Sequence, residues 1–197
     1  IYLVHQIEED INNVNFDDVR KMCEQTNNYK LALAYLNELI NNDLVKAEKI
    51  MNDNQYLLKK DVGFLDIFLR MRSKKQTKNF SFVTYLLKYQ EEYKDKYEYN
   101  ILVAFYSSKN KKYKSQFNKA VRALKSQEIP STLDCVYLSY LIKIYSESED
   151  YLKLKEIIGL NPLTGFKIEI ANCFQNSKNR DDLLYAKEIY KDILNST

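Results

Sequence analysis

Three glycines and two prolines in a chain of 197 residues leave almost no material for tight turns or phosphate-cradling loops. A sheet protein spends such residues at every hairpin, so this chain has to be built from elements that ordinary polar connections can join, and those are helices. With 45% hydrophobic residues it carries enough apolar side chain to bury a substantial core. The expected fold class is all-α.

The segment YKLALAYLNELINNDLVKAEKIM, Tyr29 to Met51, shows the unit. Leu31, Ala32, Ala34, Tyr35, Leu36, Leu39 and Ile40 form one apolar stripe, and Leu44, Ala47, Ile50 and Met51 form a second at helical spacing. Between them stand Asn41, Asn42 and Asp43, the last a good N-cap for the second helix. A polar connection this short folds the two helices back antiparallel. The same pattern recurs downstream: Tyr97 to Ser108 before KNKKYKSQFNKAVRALKS, Thr132 to Ser146 before ESEDYLKLKEII, and Phe166 to Phe174 before NSKNRDDLLYAKEIYKDIL. Tyr106, Tyr145 and Phe174, at the ends of the leading helices, are 39 and then 29 residues apart. Unequal spacing of this kind belongs to degenerate helical repeats held by packing. The expectation is an α-solenoid of tetratricopeptide-like helical hairpins, one helical-repeat domain over residues 1–197.

Breaks fit that register. GLNPLTG (Gly159 to Gly165) interrupts helix, and SQEIPS (Ser126 to Ser131) does the same, with Ser131 or Thr132 as the N-cap that follows. In the less regular stretch from Met51 to Lys96, DVGFLDIFLRMR and NFSFVTYLLKYQEEYKDK read as two helices joined by SKKQTK.

Several function classes are disfavoured. Thirty Lys and Arg against 27 Asp and Glu give a net charge of +3 with no basic face, so nucleic-acid binding is not indicated. Cys23, Cys135 and Cys173 are far apart and odd in number, which reads as reduced thiols in a cytosolic protein, without a disulfide framework or zinc site. No apolar run reaches the length of a bilayer span, and IYLVHQIEED does not have the form of a signal peptide. His5 has no partner for a nucleophilic couple and reads as a core or surface residue. Glu91-Glu92 and Asp181-Asp182 read as capping or solvated helix charges, and Lys109 to Lys112 as a solvated inter-helix loop. No catalytic residue, metal site or cofactor is expected.

What the residues favour is a binding surface. Seventeen tyrosines and abundant asparagine suit the inner wall of a helical repeat, where a flat ring can cover a side chain and an amide can both donate to and accept from a peptide backbone. Tyr35, Tyr106 and Tyr145 stand at core spacing, whereas Tyr137, Tyr140 and Lys143, at i, i+3 and i+6, are candidates to line a groove.

Lys119 to Ile158 (KAVRALKSQEIPSTLDCVYLSYLIKIYSESEDYLKLKEII) and Phe166 to Thr197 resemble the repeat region of the arbitrium peptide receptors (AimR) of temperate phages of bacilli, in an A-V-basic-x-L helix end, a lone proline before a Leu/Tyr-rich helix, and a close near L-x-S-T. Val14 to Gln25 with YKLALAYLNEL is similar to the first repeat of that family, so the resemblance covers about two thirds of the chain. It implies a cytoplasmic sensor body that dimerises, binds a short secreted peptide, and controls DNA through an N-terminal helix-turn-helix that would precede Ile1. It also implies a peptide grip by asparagines after a body helix; at those places in CFQNSKN, Asn179 keeps the residue type and Gln175 does not. A further basic residue of the family would fall beyond Thr197. The candidate peptide-binding set is therefore Asn179, Gln175, Asn172, Tyr137, Tyr140 and Lys143, with a short signalling peptide and a second copy of the chain as partners. The expected function is the peptide-sensing body of a regulator of lysis and lysogeny, a piece of a longer protein; the alternative is an α-helical scaffold or phage repressor body whose partner is a whole protein.

Overall fold

The computed structural model describes residue 11, residues 14–76 and residues 80–196, and every regular element among them is helical. His5 and the end of the SKKQTK joint lie outside the described residues. Backbone contacts gather the chain into two compact units, Ile1–Tyr93 and Lys94–Thr197.

In the first unit, α1 (Phe16–Thr26) begins where Asn15 Oδ1 accepts the Asp17 N–H at 2.9 Å, and it stops at Asn27, whose φ of 48° puts it in the left-handed region. Helix α2 (Lys30–Asn42) folds back on α1, with the fully buried Tyr35 packed against Phe16 and its hydroxyl donating to the Val14 carbonyl at 3.2 Å. Asp43 acts as expected. Its backbone N–H closes α2 on Leu39, and its carboxylate accepts the Lys46 N–H at 2.9 Å to open α3 (Leu44–Asp53). After a 3₁₀ turn over Gln55–Lys59 comes α4 (Val62–Lys74), capped by Asp61. Helix α4 pairs with α2 through partners one hairpin apart. Arg70 bonds Asn37 and Lys74 bonds Asn41, both 33 residues away, and Lys74 also reaches the Ile40 carbonyl at 3.0 Å. A constant offset along two helices means that they run parallel, as the leading helices of successive repeats do.

The single helix expected for NFSFVTYLLKYQEEYKDK is instead two short ones, α5 (Phe82–Leu87) and α6 (Gln90–Tyr93). The coil tightens between them, where Lys88 and Tyr89 donate to carbonyls only three residues back. On either side the tyrosines are anchored: Tyr85 stacks on Phe68 at 4.7 Å and the Tyr93 hydroxyl donates to the Leu58 carbonyl at 3.1 Å.

The second unit holds three hairpins: α7 (Tyr97–Ser108) with α8 (Lys114–Lys125), α9 (Cys135–Glu147) with α10 (Tyr151–Gly159), and α11 (Thr164–Gln175) with α12 (Arg180–Asn195). The last two stack as repeats. Ser146 on α9 meets Cys173 on α11 at 2.8 Å, and Lys155 on α10 meets Asp182 on α12 at 3.4 Å, each across 27 residues, so like helices run parallel. The first hairpin is turned the other way. Tyr97, at the start of α7, approaches Tyr145 near the end of α9, while Phe105, two turns later in α7, stacks on Tyr140, earlier in α9. Contacts that run in opposite senses make α7 and α9 antiparallel.

The reversal is accommodated by the 126–134 connection, which travels along α10: Gln127 gives its carbonyl to Lys153 Nζ at 3.2 Å, and the Ile129 N–H reaches Glu156 at 3.1 Å. Neither Ser131 nor Thr132 caps the helix that follows. The Leu133 N–H bonds back to the Pro130 carbonyl, so a turn occupies those positions and Asp134 becomes the N-cap. GLNPLTG breaks helix as expected, with Asn161 left-handed at φ 52°. Tyr35, Tyr106 and Tyr145 are buried core residues.

Candidate functional site

The second unit carries a cleft of about 460 Å³ where the α9–α10 turn meets the start of α12. Its walls follow from helix capping. Glu149 takes a left-handed φ of 52° to end α9, and Asp150 then accepts the Lys153 N–H at 3.3 Å to begin α10, its other oxygen paired with Lys125. Across the cleft Asn179 opens α12: its Oδ1 accepts the Asp181 N–H at 3.0 Å and its own N–H donates to Ser177 Oγ at 3.1 Å. Asp182 is buried, not solvated as the sequence suggests, and accepts from Ser177 Oγ at 2.8 Å and from Lys155. The α12 N-terminus favours its negative charge. The Lys155 ammonium lies 5.0 Å from the Tyr185 ring and 5.5 Å from that of Phe174. The cleft therefore offers both signs of charge on fixed supports, Tyr151 as an aromatic wall, and the exposed Asn179 amide nitrogen as a donor.

The six expected peptide-binding residues fall in three places. Asn179 lines this cleft. Asn172 sits on the α11–α12 seam, where its Oδ1 accepts from the Tyr190 hydroxyl at 2.6 Å and its backbone carbonyl from the Asn176 side chain. Gln175 is exposed as the last residue of α11. Tyr137, Tyr140 and Lys143 lie on α9: both tyrosines are buried and meet edge to face, Tyr140 stacks on Phe105 of α7 with ring centroids 4.2 Å apart, and the Lys143 ammonium is 5.9 Å from the Phe105 ring. Beside them the Lys109 ammonium rests 4.1 Å over Phe105 and 5.3 Å from Tyr106. Burial, and then the neighbouring charge of Lys143, pull the Lys109 pKa below the usual lysine range, against a smaller opposing effect of Glu147. Lys109 is exposed, as the sequence suggests; what the sequence reading did not use is Phe105 four residues earlier, one turn up the same helix face, over which its ammonium lies. It also passed over Lys155 and Asp150.

In the first unit a larger cleft of about 630 Å³ lies between α1 and α3; the Arg20 guanidinium on its wall is matched by Glu24 at 3.1 Å and Asp17 at 3.5 Å, just as Lys155 and Lys125 are matched by Asp182 and Asp150 in the second unit. A further hollow of about 480 Å³ is lined mainly by apolar atoms of Met22, Cys23, Leu31 and Ala34. Among the described residues no group of histidine, cysteine or acidic side chains could hold a metal ion, and no helix is long and apolar enough to cross a membrane. Comparison with family models, with curated proteins and with solved structures finds no match to this chain.

Proposed function

We propose that this chain is the peptide-sensing, helical-repeat body of a phage or bacterial quorum-sensing regulator, acting in the cytoplasm as a homodimer and steering lysis against lysogeny through a separate DNA-binding domain. The observation that carries the reading is the cleft beside Asn179, since the residue that the arbitrium-receptor resemblance assigns to the peptide grip is also the one that opens α12 at a concave site of ligand size. Its side-chain nitrogen would donate to a peptide carbonyl. Lys155 and Asp150 offer charges of opposite sign for the rest of the chain, and Tyr151 covers apolar side chains.

Signalling follows from where the cleft is built. A ligand that touches both the α9–α10 turn and the first turn of α12 binds best to one arrangement of the two stacked hairpins and raises its population. The test is a thermal-shift screen with short synthetic peptides encoded near the gene, followed by calorimetry, because a ligand of the folded state must raise the melting temperature. Replacing Asn179 with alanine is expected to weaken binding by more than about 1 kcal/mol, the scale of a hydrogen bond withdrawn from a ligand. Unchanged affinity would remove Asn179 from the site.

A second reading, a scaffold whose partner is a whole protein, is favoured by Leu183, Leu184 and Leu194 on α12, which stand 43%, 49% and 74% exposed. It predicts no response to short peptides and a stable complex with a folded partner.

A further inference from the structure

We infer that Lys109 and Lys143, set over the Phe105–Tyr140 ring stack between α7 and α9, form a docking point for a carboxylate carried by a peptide partner. The first support is geometric. Two ammonium groups address a single ring, at 4.1 and 5.9 Å from the Phe105 centroid; in the stack beneath them Tyr140 is buried and Phe105 half-buried. The rings therefore fix where the charges stand.

The second support is that, among the described residues, neither ammonium is committed to an acid of the protein. Lys125, Lys153 and Lys155 each pair with a carboxylate, on Asp150, Glu156 and Asp182. Among the described residues Lys109 and Lys143 have no such pair, and the Lys143 charge is close enough to lower the affinity of Lys109 for a proton. An acidic group arriving between them would offset the repulsion that Lys109 feels from Lys143, so the gain from the charge pair is not spent on desolvating a buried ion.

The charge pattern also selects the class of acid. Glu147 stands near Lys109, so the net positive charge suits one carboxylate better than a dianionic phosphate or a phosphate backbone. Base stacking, which single-stranded nucleic acid needs, would have to displace Tyr140 or the Lys109 ammonium from Phe105. The inference rests on the reading that the partner is a peptide, but it does not depend on the Asn179 cleft.

The experiment uses the full chain and two labelled probe peptides, Ac-Leu-Glu-Phe-Glu-Leu-NH2 and its isostere with glutamine in place of both glutamates, with fluorescence anisotropy read at low salt and at roughly 0.3 M salt. The acidic peptide is expected to bind about tenfold tighter at low salt, with most of that preference gone at the higher salt. The double variant Lys109→Gln, Lys143→Gln should abolish the preference while its melting temperature stays that of the parent. Asn179→Ala should leave the preference intact, so a failure of the cleft and a failure of the lysine pair give different results. A lysine-detected magnetic resonance titration adds a local readout: the acidic peptide should move the Lys109 ionisation back toward the ordinary lysine value. The inference is overturned if the two peptides bind alike or neither binds, if the double variant keeps the preference, or if a short single-stranded oligonucleotide binds more tightly than the acidic peptide.

Discussion

The phenol of Tyr97, at the start of α7, meets that of Tyr145, near the end of α9, in an interface so dry that the first residue is 6% exposed and the second not at all. Each hydroxyl perturbs the ionisation of the other, yet neither makes a hydrogen bond of ordinary geometry. Removing an unmatched hydroxyl while keeping its ring should therefore cost little. Tyr97→Phe and Tyr145→Phe are expected to lower the unfolding free energy by no more than about 0.5 kcal/mol, or to raise it by up to about 1 kcal/mol, whereas Tyr145→Ala, which leaves a cavity, should cost about 3 to 5 kcal/mol. Urea unfolding of the three variants decides this. A loss of about 2 kcal/mol in either phenylalanine variant would mean that the hydroxyls are matched after all.

The same burial makes the fold sensitive to alkali. Tyr97 is pushed up to about 12 from the ordinary 10.0, chiefly by desolvation, and Tyr145, Tyr85 and Tyr93 are raised for the same leading reason. A phenol whose folded value exceeds its unfolded one favours the fold fully below the unfolded value, and that contribution drains away as pH climbs through the folded value. Urea midpoints should hold steady up to about pH 10 and fall steadily toward pH 12. Phenolate absorbance should lag behind that of the unfolded chain over the same range. Complete ionisation of all 17 tyrosines near pH 10.5 with no loss of stability would contradict this account.

All three glycines lie in helices, and two of them should respond differently to alanine. A Cβ at Gly159, the last residue of α10, meets nothing within 4 Å, so Gly159→Ala gains helix propensity and is expected to stabilise by about 0.5 to 1 kcal/mol. At Gly63 the same atom would come within 2.9 Å of a Leu33 methyl carbon and 3.2 Å of Asp61 Oδ1, the cap of α4. Gly63→Ala should therefore fall short of the Gly159→Ala gain, or reverse it. Thermal melts of both variants order them, and a larger gain at Gly63 would show that Leu33 yields freely.

Asp43 ends one helix and starts the next within a single residue. Asp43→Ala removes the acceptor for the Lys46 N–H, with an expected cost of about 1 kcal/mol, and Asp43→Asn should recover most of it. Amide exchange at Lys46 should quicken in the alanine variant before that of the α2 core does. Equal stability of all three chains would mean that the connection is held by packing alone.

How much of this could be read from the amino acids depends on the range of the interaction. Asp43, Asn161 and the apolar stripes of α2 and α3 act within a few residues, so spacing alone locates those helices and their junction. The reversal between α7 and α9 acts across the 126–134 connection, and nothing local in SQEIPS distinguishes a turn that repeats the previous hairpin from one that inverts it. Tyr85, beside the break between α5 and α6, stacks on Phe68, and the buried Asp182 accepts from Lys155, each partner on a different helix and out of reach of local spacing. In the candidate site, Asn179 with Asp181 and Asp182 two and three residues on has the local pattern of a helix start and its placement is readable; that Asn172 is taken up by Tyr190, 18 residues on, is not.

The flipped first hairpin of the second unit also limits how a chain of this design can change length. Duplicating or deleting one helix pair between α9 and α12 preserves the heading of everything after it, so such edits extend or trim the stack. Cutting at the 126–134 crossing and splicing α8 straight to α9 would send the following helices along the wrong heading, with Tyr145 facing out where Tyr97 should be. That crossing is therefore the seam at which related chains should differ in sequence while agreeing in span.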